Sequence, residues 1–112
     1  MFSTQPSSSG RPQFESHLMR LNEQAKAVMI DLRKFVLSLG SNVIEEVRPH
    51  RVVYAKAMNF RIFLEIEPAS DSLMLLIRSG RTASSMIAAT IRTAQDLENI
   101  KTQIAEAYQK IK

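Results

Sequence analysis

The sequence predicts an α+β fold, a two-layer sandwich in which a four-stranded antiparallel meander packs against N-terminal and C-terminal helices. Apolar residues recur every three or four positions near both ends of the chain, which is the period of an amphipathic helix. Between them, short runs rich in β-branched and aromatic residues are separated by turn-forming residues. Those turns are too short for helical crossovers, so neighbouring strands are expected to be antiparallel.

The first part of the chain divides into a tail and a helical region. Residues 1–11 are rich in Ser, Gly and Pro and almost uncharged, so we expect a flexible tail followed by a single domain over 12–112. Pro12 suits the first turn of a helix, Asn22 is a candidate internal cap between a short and a longer helix, and Gly40 is a candidate left-handed stop. The apolar stripe that predicts these helices consists of Leu18, Leu21, Ala25, Val28, Leu32, Phe35 and Leu39.

Four runs in the middle of the chain predict the strands, at residues 51–56, 60–66, 73–78 and 86–92. The run VIEEV at 43–47 is expected to be either a lead-in to the first of them or its start. Strict alternation along the second run places Phe60, Ile62, Leu64 and Ile66 in the core.

A last helix is predicted after the strands. Thr93 and Asp96 have the spacing of a capping box, in which a hydroxyl and a carboxylate bind the free N–H groups of a helix start. The stripe that follows consists of Leu97, Ile100, Ile104, Ala107 and Ile111.

Composition limits the classes of protein that this chain can be. It has 112 residues and no cysteine, which excludes disulfides, thiolate metal sites and a cysteine nucleophile. The start of the chain has neither the basic nor the apolar region of a secretory signal. The longest apolar run, LMLLI at 73–77, is far shorter than the ~20 residues that span a bilayer. We therefore expect a cytoplasmic protein that is not a membrane transporter.

The positive charge is concentrated in one segment. Residues 48–92 carry seven bases and three acids, which accounts for the whole net charge of +4. Such an imbalance can attract phosphates or acidic partners, and it also occurs on ordinary solvated surfaces.

Four segments of the chain resemble a known domain family. They are FESHLMRLNEQAKAVMIDLRKFVLSLGSNVIEEV, VVYAKAMNFRIFLEIEP, LMLLIR and IRTAQDLENIKTQIAEAY. The pattern, which covers residues 14 to about 110, is similar to a prokaryotic family of unknown function whose members often carry the label "predicted transport protein". Members occur alone and fused to restriction-type or nuclease-like proteins, which implies an accessory or binding role. Many members carry a Gly/His-rich loop before the last strand, where this chain has RTASS.

No set of residues in the sequence predicts catalysis or a metal site. His17 and His50 are the only histidines, and neither has a carboxylate at ligand spacing. Glu65 and Glu67 share a strand face roughly 7 Å apart, but Arg61 on that face makes charge pairing the better interpretation. The loop SGRTASS at 79–85 could cradle a phosphate, yet it lacks the Gly-Lys-Ser/Thr ending of a nucleotide loop.

The second face of the sheet is the best candidate for a functional surface. Alternation assigns Phe63 and Arg61 to it, with Val53, Ala55, Met74, Leu76, Arg78, Ala88 and Arg92 from neighbouring strands. If one helix covers each face, Phe63 is ordinary core. If both helices share the first face, the second is an exposed, mixed apolar and basic surface.

We therefore expect a non-enzymatic interaction module, acting through this face as a homodimer or with a protein partner, without a cofactor. The alternative function is weak, salt-dependent binding of nucleic acid. The predicted contact residues are Arg61, Phe63, Arg78, Arg81 and Arg92.

Overall fold

A computed structural model describes residues 13–111. The predicted tail at 1–11 and the predicted helix start at Pro12 lie outside these residues. The elements are α1 (Phe14–Leu18), α2 (Glu23–Leu37), β1 (Val43–Val47), β2 (Val52–Lys56), β3 (Arg61–Pro68), β4 (Leu73–Arg78), β5 (Met86–Ile91) and α3 (Ala94–Lys110). A short 3-10 helix, Ala83–Ser85, lies between β4 and β5. Among the described helices, none is long and apolar enough to cross a membrane.

The strands form one antiparallel meander in the order β1-β2-β3-β4-β5. The predicted α+β class and antiparallel sheet are confirmed, but the predicted count of four strands is wrong. Residues 43–47 form a full strand, paired with β2 from Val43 opposite Lys56 to Val47 opposite Val52. The apolar pattern of this strand is weak because Glu45 occupies a position on the face that packs against the helices.

Helices α2 and α3 pack side by side on one face of the sheet. The predicted stripe supplies the buried residues of α3, whereas α2 also buries Met29 and Val36 and leaves Phe35 only partly buried. Leu64 and Ile66 meet the helices from the sheet as predicted. No described helix covers the opposite face, which we call the outer face. The architecture of the described residues is therefore a two-layer sandwich.

Local signals determine where the helices begin. The side chain of Asn22 accepts a hydrogen bond from the N–H of Ala25 at 2.8 Å and starts α2, so the predicted division of the helical region is confirmed. The predicted capping box at the start of α3 is also confirmed, with Asp96 N–H donating to Thr93 Oγ1 at 3.0 Å. The backbone N–H groups of Arg92 and Thr93 lower the pKa of the Asp96 carboxyl because they bind its ionised form.

Gly40 does not act as the left-handed stop that the sequence predicts. Helix α2 ends at Leu37, and its C-cap residue Ser38 has right-handed helical angles. A glycine is favoured at position 40 for a different reason, because a Cβ there would overlap the hydroxyl of Tyr108 on α3 and force that side chain to move.

A β-bulge in β3 places the residues at the start of this strand on the face opposite to the one predicted. Tyr54 lies opposite Leu64 and Ala55 opposite Ile62, which leaves Phe63 without a partner on β2. An extra residue of this kind shifts the alternation by one position. Phe63 and Leu64 both join the helix-covered core, while Ile62 shares the outer face with Ala55. Arg61 lies opposite Lys56, whose amino group reaches Tyr108 on the helix-covered side. The predicted outward positions of Phe63 and Arg61 and the predicted core positions of Ile62 and Phe60 are therefore wrong.

Candidate interaction surface

The outer face is a mixed surface with a continuous row of residues across all five strands. Directly opposite partners share a face of the sheet, so the pairing places Glu46, Val53, Glu65, Leu76 and Ala88 in one line. Met74 lies beside this row, opposite Glu67, and is 50% exposed. The prediction that Val53, Ala55, Met74, Leu76, Arg78 and Ala88 share the second face is confirmed by this register.

A shallow apolar groove lies on this face. It encloses about 220 Å³, and Met74, Leu76 and Ala88 contribute apolar surface to its lining. Arg51, Glu65 and Glu67 add charged groups. An apolar surface with a charged border is the composition that protein interfaces commonly have.

The charged groups on the outer face form an ion-pair cluster. Glu65 is only 8% exposed, and its two carboxylate oxygens are held by different arginines. Arg51 Nη1 lies 2.8 Å from Oε1, and Arg78 Nη2 lies 2.6 Å from Oε2. The predicted charge pairing of Glu65 is thus present, although with Arg51 and Arg78 rather than with Arg61. A carboxylate held on both oxygens has the geometry of a cross-strand clamp.

Three of the predicted arginines come together in a second groove, which we call the basic groove. It lies where β3 begins and β4 ends, encloses about 230 Å³, and is lined by Arg61, Arg78 and Arg81 together with Phe60 and Gly80. Arg92 is not part of it. That residue follows β5 at the opposite end of the sheet, 4.0 Å from a carboxylate oxygen of Asp71.

Phe63 does not contribute to either groove. It is fully buried beneath α3, where its ring meets the ring of Tyr108 edge to face. The exposed aromatic residue at this end of the sheet is Phe60, in the turn before β3, with a backbone φ of 47°. Sequence reasoning missed Phe60 because strict alternation assigns it to the core.

Hydrogen bonds within the described part of the chain hold His17 and the backbone of the 79–85 loop. His17 is buried rather than at the surface, and its ring lies between the Arg48 carbonyl oxygen, 2.7 Å from Nε2, and Arg20 Nη2, 3.0 Å from Nδ1. His50 lies in the exposed β1–β2 turn. In the 79–85 loop, the N–H of Ser79 already donates to the Ser85 carbonyl at 2.9 Å. Residues 13–111 contain no group of metal-ligating side chains.

Glu45 forms the main polar link between the helical layer and the sheet. Arg33 on α2 binds both of its carboxylate oxygens at 2.8 Å, and the buried Tyr54 hydroxyl donates to Oε2 at 2.7 Å. Burial raises the pKa of the Tyr54 phenol well above its usual range, and the bond to Glu45 raises it further. The same carboxylate, as a hydrogen-bond acceptor, raises the pKa of the Arg33 guanidinium. These residues stabilise the fold and have no opening toward either groove.

Comparison with family models, with curated protein sequences and with solved structures finds no match for this chain. The resemblance to the family labelled "predicted transport protein" therefore stays a prediction.

Proposed function

We propose that the chain is a non-enzymatic interaction module whose outer face binds a second copy of itself. The observation that carries this proposal is the position of both long helices on the same side of the sheet, which leaves Met74 half exposed beside an apolar groove. Exposed apolar surface of this kind commonly marks a site of protein association.

The charges around the groove favour a second copy over an unrelated partner. A two-fold interface brings the same patch of both copies together, so that patch must complement itself. The outer face carries both signs of charge beside its apolar groove: Arg51 lies at its border, and Glu67 is exposed and takes part in none of the ion pairs between described residues. A two-fold axis through the groove would bring acids of one copy near bases of the other.

The size of the face predicts reversible association. Five strands spaced ~4.8 Å apart and about six residues long offer roughly 400 Å² of flat surface per copy. This is about half of the ~800 Å² per partner in a standard stable interface. We therefore expect a dimer that forms and dissociates with protein concentration.

Sedimentation velocity over a concentration series tests the proposal with two matched methionine variants. Met74→Glu places a charge on the groove, whereas Met58→Glu makes the same change in the β2–β3 turn, where Met58 is 89% exposed. We expect the wild type and Met58→Glu to gain mass with concentration and Met74→Glu to remain monomeric. A wild type that stays monomeric, or equal loss of association in both variants, would contradict the proposal.

The alternative function, weak nucleic-acid binding, requires a different surface. The outer face carries the acidic residues Glu46, Glu65 and Glu67 among its bases, whereas none of the described residues that line the basic groove is acidic.

A further inference from the structure

The basic groove joins cations from three different elements. Arg61 begins β3, Arg78 ends β4, and Arg81 lies in the connection that follows. Arg61 is paired with Lys56 and therefore lies on the helix-covered side of the sheet. Arg78 is paired with Met86 and lies on the outer face. They approach one another around the end of the sheet. Converging guanidinium groups favour a ligand with several anionic oxygens, because each one can donate two hydrogen bonds.

Arg78 has unused hydrogen-bonding capacity in this groove. One of its terminal nitrogens binds Glu65 at 2.6 Å, but its Nε is buried and has no hydrogen-bond partner among the described residues. A buried donor without an acceptor is costly, and such groups often mark the place of a bound ion or ligand. The Arg78 side chain as a whole is 32% exposed, so an anionic oxygen in the groove can reach its guanidinium group.

Phe60 adds an exposed aromatic ring to the same groove at a strained position. Its φ of 47° lies in the left-handed region, which a bulky residue rarely adopts and which glycine adopts at no steric cost. The ring is nevertheless 38% exposed and lines the groove beside Arg61. Strain at a residue that contributes little to the core points to a role in binding.

From these observations we propose that the basic groove binds single-stranded nucleic acid. The three arginines hold the phosphates, and the ring of Phe60 stacks on one base. Aromatic stacking beside a basic track is the chemistry by which proteins hold single strands, whose bases are free to stack. A duplex keeps its bases stacked on one another and offers only its phosphates. This site is independent of the self-association proposed for the outer face.

Fluorescence anisotropy with a labelled single-stranded deoxythymidine decamer tests the arginines. Arg81→Glu changes an exposed residue that takes part in none of the ion pairs between described residues, and Arg92→Glu makes the same charge change at the opposite end of the sheet. We expect Arg81→Glu to weaken binding about tenfold and Arg92→Glu to change it less than about twofold. For three phosphate contacts, the slope of log affinity against log salt should be about −2. Equal losses in both variants, or no binding by the wild type at low salt, would overturn the proposal.

Substitutions of Phe60 test the stacking directly. The chain contains no tryptophan, so Phe60→Trp places a single tryptophan in the groove, and its emission can be excited separately from that of the two tyrosines. We expect the decamer, but not inorganic phosphate, to quench its emission. Phe60→Gly should weaken binding without lowering the melting temperature, because glycine relieves the strained backbone. Binding that leaves the emission of the Phe60→Trp variant unchanged would overturn the stacking.

The proposals for the outer face and for the basic groove can be tested separately. Arg81→Glu should still self-associate, and Met74→Glu should still bind the decamer. Loss of decamer binding in Met74→Glu would mean that the strand binds the outer face instead, which would overturn the assignment to the basic groove.

Discussion

The ring of Phe63 on β3 meets the ring of Tyr108 on α3 edge to face, with centroids 5.3 Å apart and planes inclined by 70°. Both rings belong to the cluster that joins the helices to the sheet. Aromatic pairs in this arrangement contribute about 0.5–1.5 kcal/mol beyond their buried area. The contact depends on the bulge in β3, since regular alternation would turn Phe63 to the outer face.

Replacing Phe63 should therefore affect stability rather than an exposed surface. We expect Phe63→Ala to lower the free energy of unfolding by about 3–5 kcal/mol, because it removes a fully buried ring. Urea denaturation followed by circular dichroism measures the change. Phe60→Ala, which also removes a ring but from an exposed turn, serves as the control and should cost less. Similar losses for the two variants would mean that Phe63 is not part of the core.

Gly40 and Tyr108 should be energetically coupled. A Cβ at position 40 would overlap the Tyr108 hydroxyl and lie 2.9 Å from Asn42 Oδ1, the acceptor of that hydroxyl's hydrogen bond. We expect Gly40→Ala to cost about 1–3 kcal/mol. In the Tyr108→Phe background the cost should fall, because the hydroxyl that meets the Cβ is gone. A double-mutant cycle by urea denaturation measures this coupling, and strict additivity would contradict it.

The sequence predicts the helix starts and the order of elements because both depend on near neighbours. Asn22 and Thr93 bind N–H groups three residues ahead, so their signals lie within one turn of helix. The bulge is also local, and its signal is the adjacency of two large apolar residues, Phe63 and Leu64, in a strand that otherwise alternates. Deciding which of the two is the bulged residue requires the contact between Phe63 and Tyr108. Tyr108 lies on α3, far along the chain, so no local pattern contains this contact.

The strand count and the sites depend on distant partners that no local pattern contains. Glu45 can face the helices only because Arg33 and Tyr54 neutralise and bind it. Three of the predicted arginines do lie together. The start of β3, with Arg61, lies beside the end of β4, with Arg78, and Arg81 follows in the next connection. Arg92 follows the end of β5 and lies apart from them, because successive strands of an antiparallel meander terminate at opposite ends of the sheet.

The raised pKa of the Tyr54 phenol leads us to expect that the folded protein loses stability at alkaline pH. Its pKa is raised in the folded protein by burial and by the bond to Glu45, so the neutral form is favoured by folding. The resulting stabilisation is complete below the unfolded pKa of about 10 and is lost as pH rises above it. Tyr54→Phe should cost about 1.5–3 kcal/mol near pH 7, because it removes a hydrogen bond to a charged group.

Urea denaturation of the wild type and Tyr54→Phe between pH 7 and about pH 11 separates this effect from other ionisations. The stability difference between the two proteins should shrink as the pH passes above about 10. A difference that stays constant across this range would show that the Tyr54 hydroxyl ionises equally in the folded and unfolded chains.

The ion-pair cluster on the outer face predicts an order of stabilities among three variants. Glu65→Ala removes the acceptor of Arg78 Nη2 and releases Arg51 as well. We expect a cost of about 1–3 kcal/mol, below the 3–5 kcal/mol of a fully buried pair, because both arginines are partly exposed to water. Arg51→Ala should cost less, since Arg78 still binds the Glu65 carboxylate. Glu67→Ala, two residues along the same face, should stay within about 0.5 kcal/mol of the wild type because Glu67 is exposed. Urea denaturation at low and high salt measures all three, and a Glu65→Ala variant as stable as Glu67→Ala would mean that the cluster contributes nothing to the fold.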